Sequence, residues 1–86
     1  MKMDQLRLLL KELGFDAKGT TVDGEQVIYM NEKRNKYFKV FIPIKNYADR
    51  NLANRVIRDL IERFNYAEIE IVEAANRIPK PPLISN

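Results

Sequence analysis

Cysteine and histidine are both absent from the 86 residues of this chain. Without them it lacks the usual ligands of a structural zinc site, the thiol nucleophile and the imidazole general base. Much of enzymology is thereby excluded, and the reading is of a protein that is not an enzyme. A disulfide framework is excluded too, which fits a reducing compartment. Long apolar runs are also missing: none approaches the roughly 20 residues of a membrane span, and the N-terminus has no hydrophobic leader. The chain therefore reads as cytoplasmic, with no membrane partner. Glycine occurs three times, at Gly14, Gly19 and Gly24. All three are spaced as turn residues and none opens a helix, so no phosphate-cradling loop and no cofactor is implied.

What is present suits one small core. The chain is shorter than the commonest domain size of about 100–150 residues, and 45% of it is hydrophobic, which allows one compact domain without metals or disulfides. The net charge of +3 is unevenly placed. Residues 1–45 hold nine lysines and arginines against six acids, whereas residues 46–86 balance six with six. An anion-attracting field should sit toward the hairpin.

Leu6, Leu9, Leu10 and Leu13 recur at helical spacing, which predicts an amphipathic helix over 5–13 with Asp4 as its N-cap and Met3 and Leu8 as a hydrophobic staple. Gly14 suits the left-handed position after that helix, with Phe15 folding back on Leu10. Residues 16–22 tolerate an extended conformation, and Asp23-Gly24 signals a tight turn before the strand-forming run Gln26–Met30. Asn31 to Asn35 is polar and reverses the chain into a strand at 36–44. Asn46 and Asp49 resemble a capping arrangement for a second helix at 47–65, whose Leu52, Ala53, Val56, Ile57, Leu60, Ile61 and Phe64 form a broad apolar face. Ile69 and Ile71 alternate with Glu68 and Glu70, which reads as a half-buried final strand at 67–73. Its open edge would serve a homodimer. The predicted fold is α+β, in the order α-β-β-β-α-β, with an antiparallel sheet of three to four strands covered on one face by two helices. Residues 1–75 form the domain, and 76–86 form an extended Pro-rich tail with Pro79 and Pro82 at P-x-x-P spacing.

The stretch Tyr37-Phe38-Lys39-Val40-Phe41-Ile42 carries the functional signal. Side chains alternate along a strand, so Phe38, Val40 and Ile42 can fill a core while Tyr37, Lys39 and Phe41 point the other way. Just upstream lie Lys33, Arg34 and Lys36. Aromatic faces can stack on bases and cations can meet phosphates, so these six residues, Lys33, Arg34, Lys36, Tyr37, Lys39 and Phe41, form the candidate nucleic-acid-binding set. The plainer reading is that the aromatics stabilise the sheet by pairing across strands. Arg55 and Arg58 on the second helix read as a solvated face with four-residue pairs such as Asp59–Arg55 and Asp59–Arg63. Tyr66, Glu68 and Glu70 offer no acid–base constellation, because alternation would leave the glutamates well solvated.

The order of elements, with Gly14-Phe15 after the first helix and a strand ending Ile42-Pro43, resembles the HicA-type toxins and the wider double-stranded-RNA-binding-like fold over residues 4–64. Leu52-Ala53-Asn54-Arg55-Val56-Ile57-Arg58 looks like the family's second helix. In that family a strand carries a catalytic histidine in a Gly-Ser-His context, and here the comparable stretch is Gly24-Glu25-Gln26-Val27. The resemblance thus implies contact with RNA and a protein partner, without the residue that cleaves. Two functions follow as expectations: a non-catalytic RNA- or other nucleic-acid-binding module, or a small interaction or inhibitor protein of phage or mobile-element type that occludes a host protein.

Overall fold

The computed structural model describes residues 3–45 and 50–79, arranged as α1 (Met3–Glu12), β1 (Asp16–Thr20), β2 (Gln26–Asn31), β3 (Asn35–Pro43), α2 (Arg50–Glu62) and α3 (Glu68–Arg77). The three strands form an antiparallel meander in the order β1-β2-β3. The cap suggested at Asn46 and Asp49, and the tail beyond Pro79, lie outside the described residues.

Helix α1 starts two residues earlier than its leucine pattern suggested, so Asp4 lies in its first turn and Met3 is a buried helical residue. Leu6, Leu9 and Leu10 are fully buried, whereas Leu8 is exposed. The helix ends as its glycine foretold. Gly14 sits at φ 97°, its N–H donates to the Lys11 carbonyl at 3.0 Å, and the Phe15 N–H donates to the Leu10 carbonyl at 2.9 Å. Those two bonds make a Schellman motif, which turns Phe15 into the core.

One sheet face is covered by helices. Val40 and Ile42 of β3 are buried, and Tyr29 of β2, paired with Val40, shares their face. Ala53, Val56 and Leu60 of α2 join the same core as the leucines of α1, and Phe38 stacks on Phe64 with ring centroids 4.5 Å apart. Arg7 fastens α1 to the end of β3, its Nη2 donating to the carbonyls of Pro43 at 2.8 Å and Ile44 at 3.0 Å.

The stretch 67–73 is not a strand, which corrects the fourth-strand expectation and removes the edge proposed for pairing two copies. It belongs to α3, where Ile71, Ala74 and Ile78 are buried at helical spacing and Ile69 is 61% exposed. Ala67 is the N-cap but has no side-chain oxygen to offer, so only half of a capping box forms: the Glu70 carboxylate accepts the Ala67 N–H at 2.7 Å. Asn65, at φ 59°, takes the left-handed turn between α2 and α3. At its far end Arg77 donates to the Glu12 carboxylate at 3.0 Å and to the Glu12 carbonyl at 3.2 Å, tying α3 to the end of α1. The packed structure therefore continues past residue 75 to the buried Ile78. No helix among the described residues is long and apolar enough to cross a membrane.

Candidate nucleic-acid interface

The register decides which side chains share the open face. Ile28 pairs with Phe41 and Met30 with Lys39, so these four project away from the helices, and Tyr37 lies further along the same row of β3. Tyr37 is 78% exposed and Phe41 is 44% exposed. Ile28 and Met30 are half-buried beside them. Lys36 and Lys39 are exposed, and the Lys36 ammonium lies 5.4 Å from the Tyr37 ring centroid, within cation–π range. Lys33 is exposed at the β2–β3 turn. Five of the six sequence-derived candidates thus share one stretch of turn and strand: Tyr37, Phe41 and Lys39 on the face, Lys33 and Lys36 at its end.

Arg34, the sixth, points elsewhere. Its guanidinium donates to both Glu70 oxygens, at 2.6 and 3.1 Å, and to the Asn65 carbonyl at 2.7 Å, and it lies 3.9 Å from the centroid of the Tyr66 ring. The two groups answer each other electrostatically. The Arg34 guanidinium, with the Ala67 N–H, holds the Glu70 carboxyl below the ordinary glutamate range, and the bond to Glu70 raises Arg34 further. Burial pushes the Tyr66 hydroxyl up, opposed by its bond from Asn31 and the charge of Arg34.

Asn31 completes this node. It is the buried polar residue of the described core, and its amide donates to the Tyr66 hydroxyl at 2.9 Å and to the Leu13 carbonyl at 3.0 Å. The turn bearing Lys33 is therefore held at Arg34 by α3 and at Asn31 by the end of α1. Reading the sequence missed both Glu70 and Asn31. The alternation over residues 68–71 reads Glu70 as a solvated strand residue, and an asparagine in a turn gives no sign that its amide is buried.

At the opposite end of β2, Asp23 shapes the β1–β2 turn. Its carboxylate accepts the Thr21 hydroxyl at 2.5 Å and the Glu25 N–H at 2.9 Å, bonds that keep it below the usual aspartate range. No group of histidine, cysteine and carboxylate side chains suited to a metal ion occurs among the described residues. Comparison with protein-family models, curated proteins and solved structures found no match to this chain.

Proposed function

We propose that this protein is a non-catalytic nucleic-acid-binding module, with RNA as the favoured ligand, and that it works through the open face of its sheet. The observation that supports this reading is the exposure of Tyr37 and Phe41 beside Lys39 on a face that no described helix covers, with the Lys36 ammonium near the Tyr37 ring at its end. Tyr37 and Phe41 supply π-faces for unstacked bases, and Lys33, Lys36 and Lys39 supply the charge for phosphates. Arg34 serves by holding the turn, since its donors are engaged with Glu70 and Asn65.

Titration with single- and double-stranded RNA and DNA at two salt concentrations tests the proposal. Affinity should fall steeply with salt as phosphate contacts release counterions, and Lys33→Glu/Lys36→Glu/Lys39→Glu should flatten that dependence. Tyr37→Ala should cost about 1–3 kcal/mol of single-strand binding if a base stacks there. Salt-insensitive binding, or binding that the triple variant leaves intact, sinks the idea.

A second reading, a small interaction or inhibitor protein, draws support from the apolar content of the same face, where Ile28, Met30 and Phe41 adjoin. Pull-down from a nuclease-treated lysate separates the two. A stoichiometric protein partner that survives nuclease favours this reading, and loss of every partner favours nucleic acid.

A further inference from the structure

We infer that the open edge of β3 and the adjoining surface of α2 form a docking groove for an extended acidic segment of a partner protein, which adds to the sheet as a fourth strand. This site adjoins the sheet face and shares Lys39 and Phe41 with it, but takes its partner along the strand edge. Its starting point is the phase of the ladder. The Ile44 N–H donates to the Glu25 carbonyl at 2.9 Å, flanking the Gln26–Pro43 pair, so Ile44, Ile42 and Val40 turn their backbone groups toward β2. Pro43, Phe41 and Lys39 therefore turn theirs away from the sheet. Proline at 43 agrees with this phase, because its missing N–H falls where the ladder needs none. Strand β3 is terminal in the sheet, and no turn, loop or helix backbone group among the described residues bonds to Lys39 or Phe41. Their N–H and C=O groups are a ready template for another strand.

A groove of about 310 Å³ lies along this edge, between β3 and α2. Val40, Leu52 and Val56 give it an apolar floor. Among its described rim residues Lys39 and Arg63 outnumber Asp59, even with Arg55 left out of the count, and Arg63 approaches Asp59 at 3.9 Å. The net charge of these described residues is positive. By contrast, the larger cleft between α1 and β1 has Arg7 and Lys11 balanced by Asp4 and Asp16, and selects no sign.

Three features choose the occupant. The edge presents acceptors as well as donors, and a peptide backbone answers both, whereas a phosphate answers only donors. The apolar floor takes every second side chain of a strand, and the rim favours carboxylates on that partner. A second copy of β3 is disfavoured, since it would bring Lys36 and Lys39 against like charges. Strand β1 of a second copy is short, is interrupted by an irregularity between Ala17 and Gly19, and carries no net charge.

The test uses the full chain, 15N-labelled, titrated with a blocked (Val-Glu)4 peptide, its (Val-Lys)4 counterpart and a (Val-Glu)4 peptide N-methylated at alternate residues. The acidic peptide should shift the Lys39 and Phe41 amide signals and slow their hydrogen exchange. The lysine and N-methylated peptides should bind about tenfold more weakly or worse, and Arg63→Glu should weaken the acidic peptide to a similar degree. Arg63→Glu should leave RNA binding at the sheet face unchanged, which separates failure here from failure of the nucleic-acid proposal. The inference is overturned by no binding at millimolar peptide, by equal binding of the lysine peptide, or by shifts confined to Ile28, Met30 and Tyr37 with the Lys39 and Phe41 amides unmoved. It is also overturned if single-stranded RNA shifts the edge amides and the peptide does not, or if the edge amides shift with protein concentration alone as the mass doubles.

Discussion

Asn31 and Glu70 do different kinds of work within one node. Asn31 joins three segments from inside, so Asn31→Ala leaves the Leu13 carbonyl and the Tyr66 hydroxyl without their donor. A buried group left unsatisfied costs about 1–3 kcal/mol, and the loss should appear as a lower urea midpoint at unchanged m-value. Gly14→Ala should also destabilise, because φ is 97° there and an added Cβ would lie 3.0 Å from the Asn31 amide nitrogen. Glu70 acts at the surface and with pH. Its carboxyl is depressed in the folded state, so its stabilising contribution is present above the unfolded glutamate range and is lost as pH falls through the folded value. The stability difference between the native chain and Glu70→Gln should therefore hold steady above about pH 5 and shrink toward zero in stronger acid. Urea unfolding at pH 7 and pH 3 checks this, and a difference that grows on acidification would contradict it.

At the scale of elements, α3 separates two isoleucines that a strand would treat alike. Ile71 is 7% exposed and Ile69 is 61% exposed. Ile71→Ala should cost about 2–5 kcal/mol, whereas Ile69→Ala should stay within about 0.5 kcal/mol. Equal losses in thermal or urea unfolding would restore the strand. The misreading has a definite cause. Over Glu68–Ile71 the apolar residues alternate, and four residues are too few to tell period two from period 3.6. Extending the window to Ile71, Ala74, Ala75 and Ile78 gives helical spacing, and glutamates at the start with Arg77 in the last turn suit a helix dipole. Elsewhere the pattern was long enough. The leucines of α1 and the paired apolar positions of α2 left no competing period, and Gly14 and Asp23-Gly24 carried their turn chemistry openly. The candidate face was legible for the same reason, since Phe38, Val40 and Ile42 alternate with Tyr37, Lys39 and Phe41 over a full strand. The partner of Arg34 was not, because Glu70 lies 36 residues away and only tertiary packing brings it near.

On the scale of the whole molecule, the described helices gather on one side of a three-stranded sheet, and Tyr37, Lys39 and Phe41 of β3 lie on the other. Of the excess charge of residues 1–45, Lys39 lies on that open side and Lys33 and Lys36 lie at its end. The long reach of α3 also bears on the order in which the chain folds. The strands are joined by short turns and close local loops, but the Arg77–Glu12 bond spans 65 residues and the Arg34–Glu70 bond spans 36. Distant closures form late when loop entropy must be met first. Helix α3 should thus dock after the barrier. Ala74→Gly, which weakens that helix by about 1 kcal/mol, should raise the unfolding rate about fivefold and leave the folding rate nearly unchanged in a stopped-flow chevron. A slowed folding arm would place α3 in the nucleus instead. With a late-docking α3, the last segment to join is also the one that carries Glu70, so an opening of α3 that stops short of global unfolding releases Arg34 while Asn31 still ties the turn to Leu13.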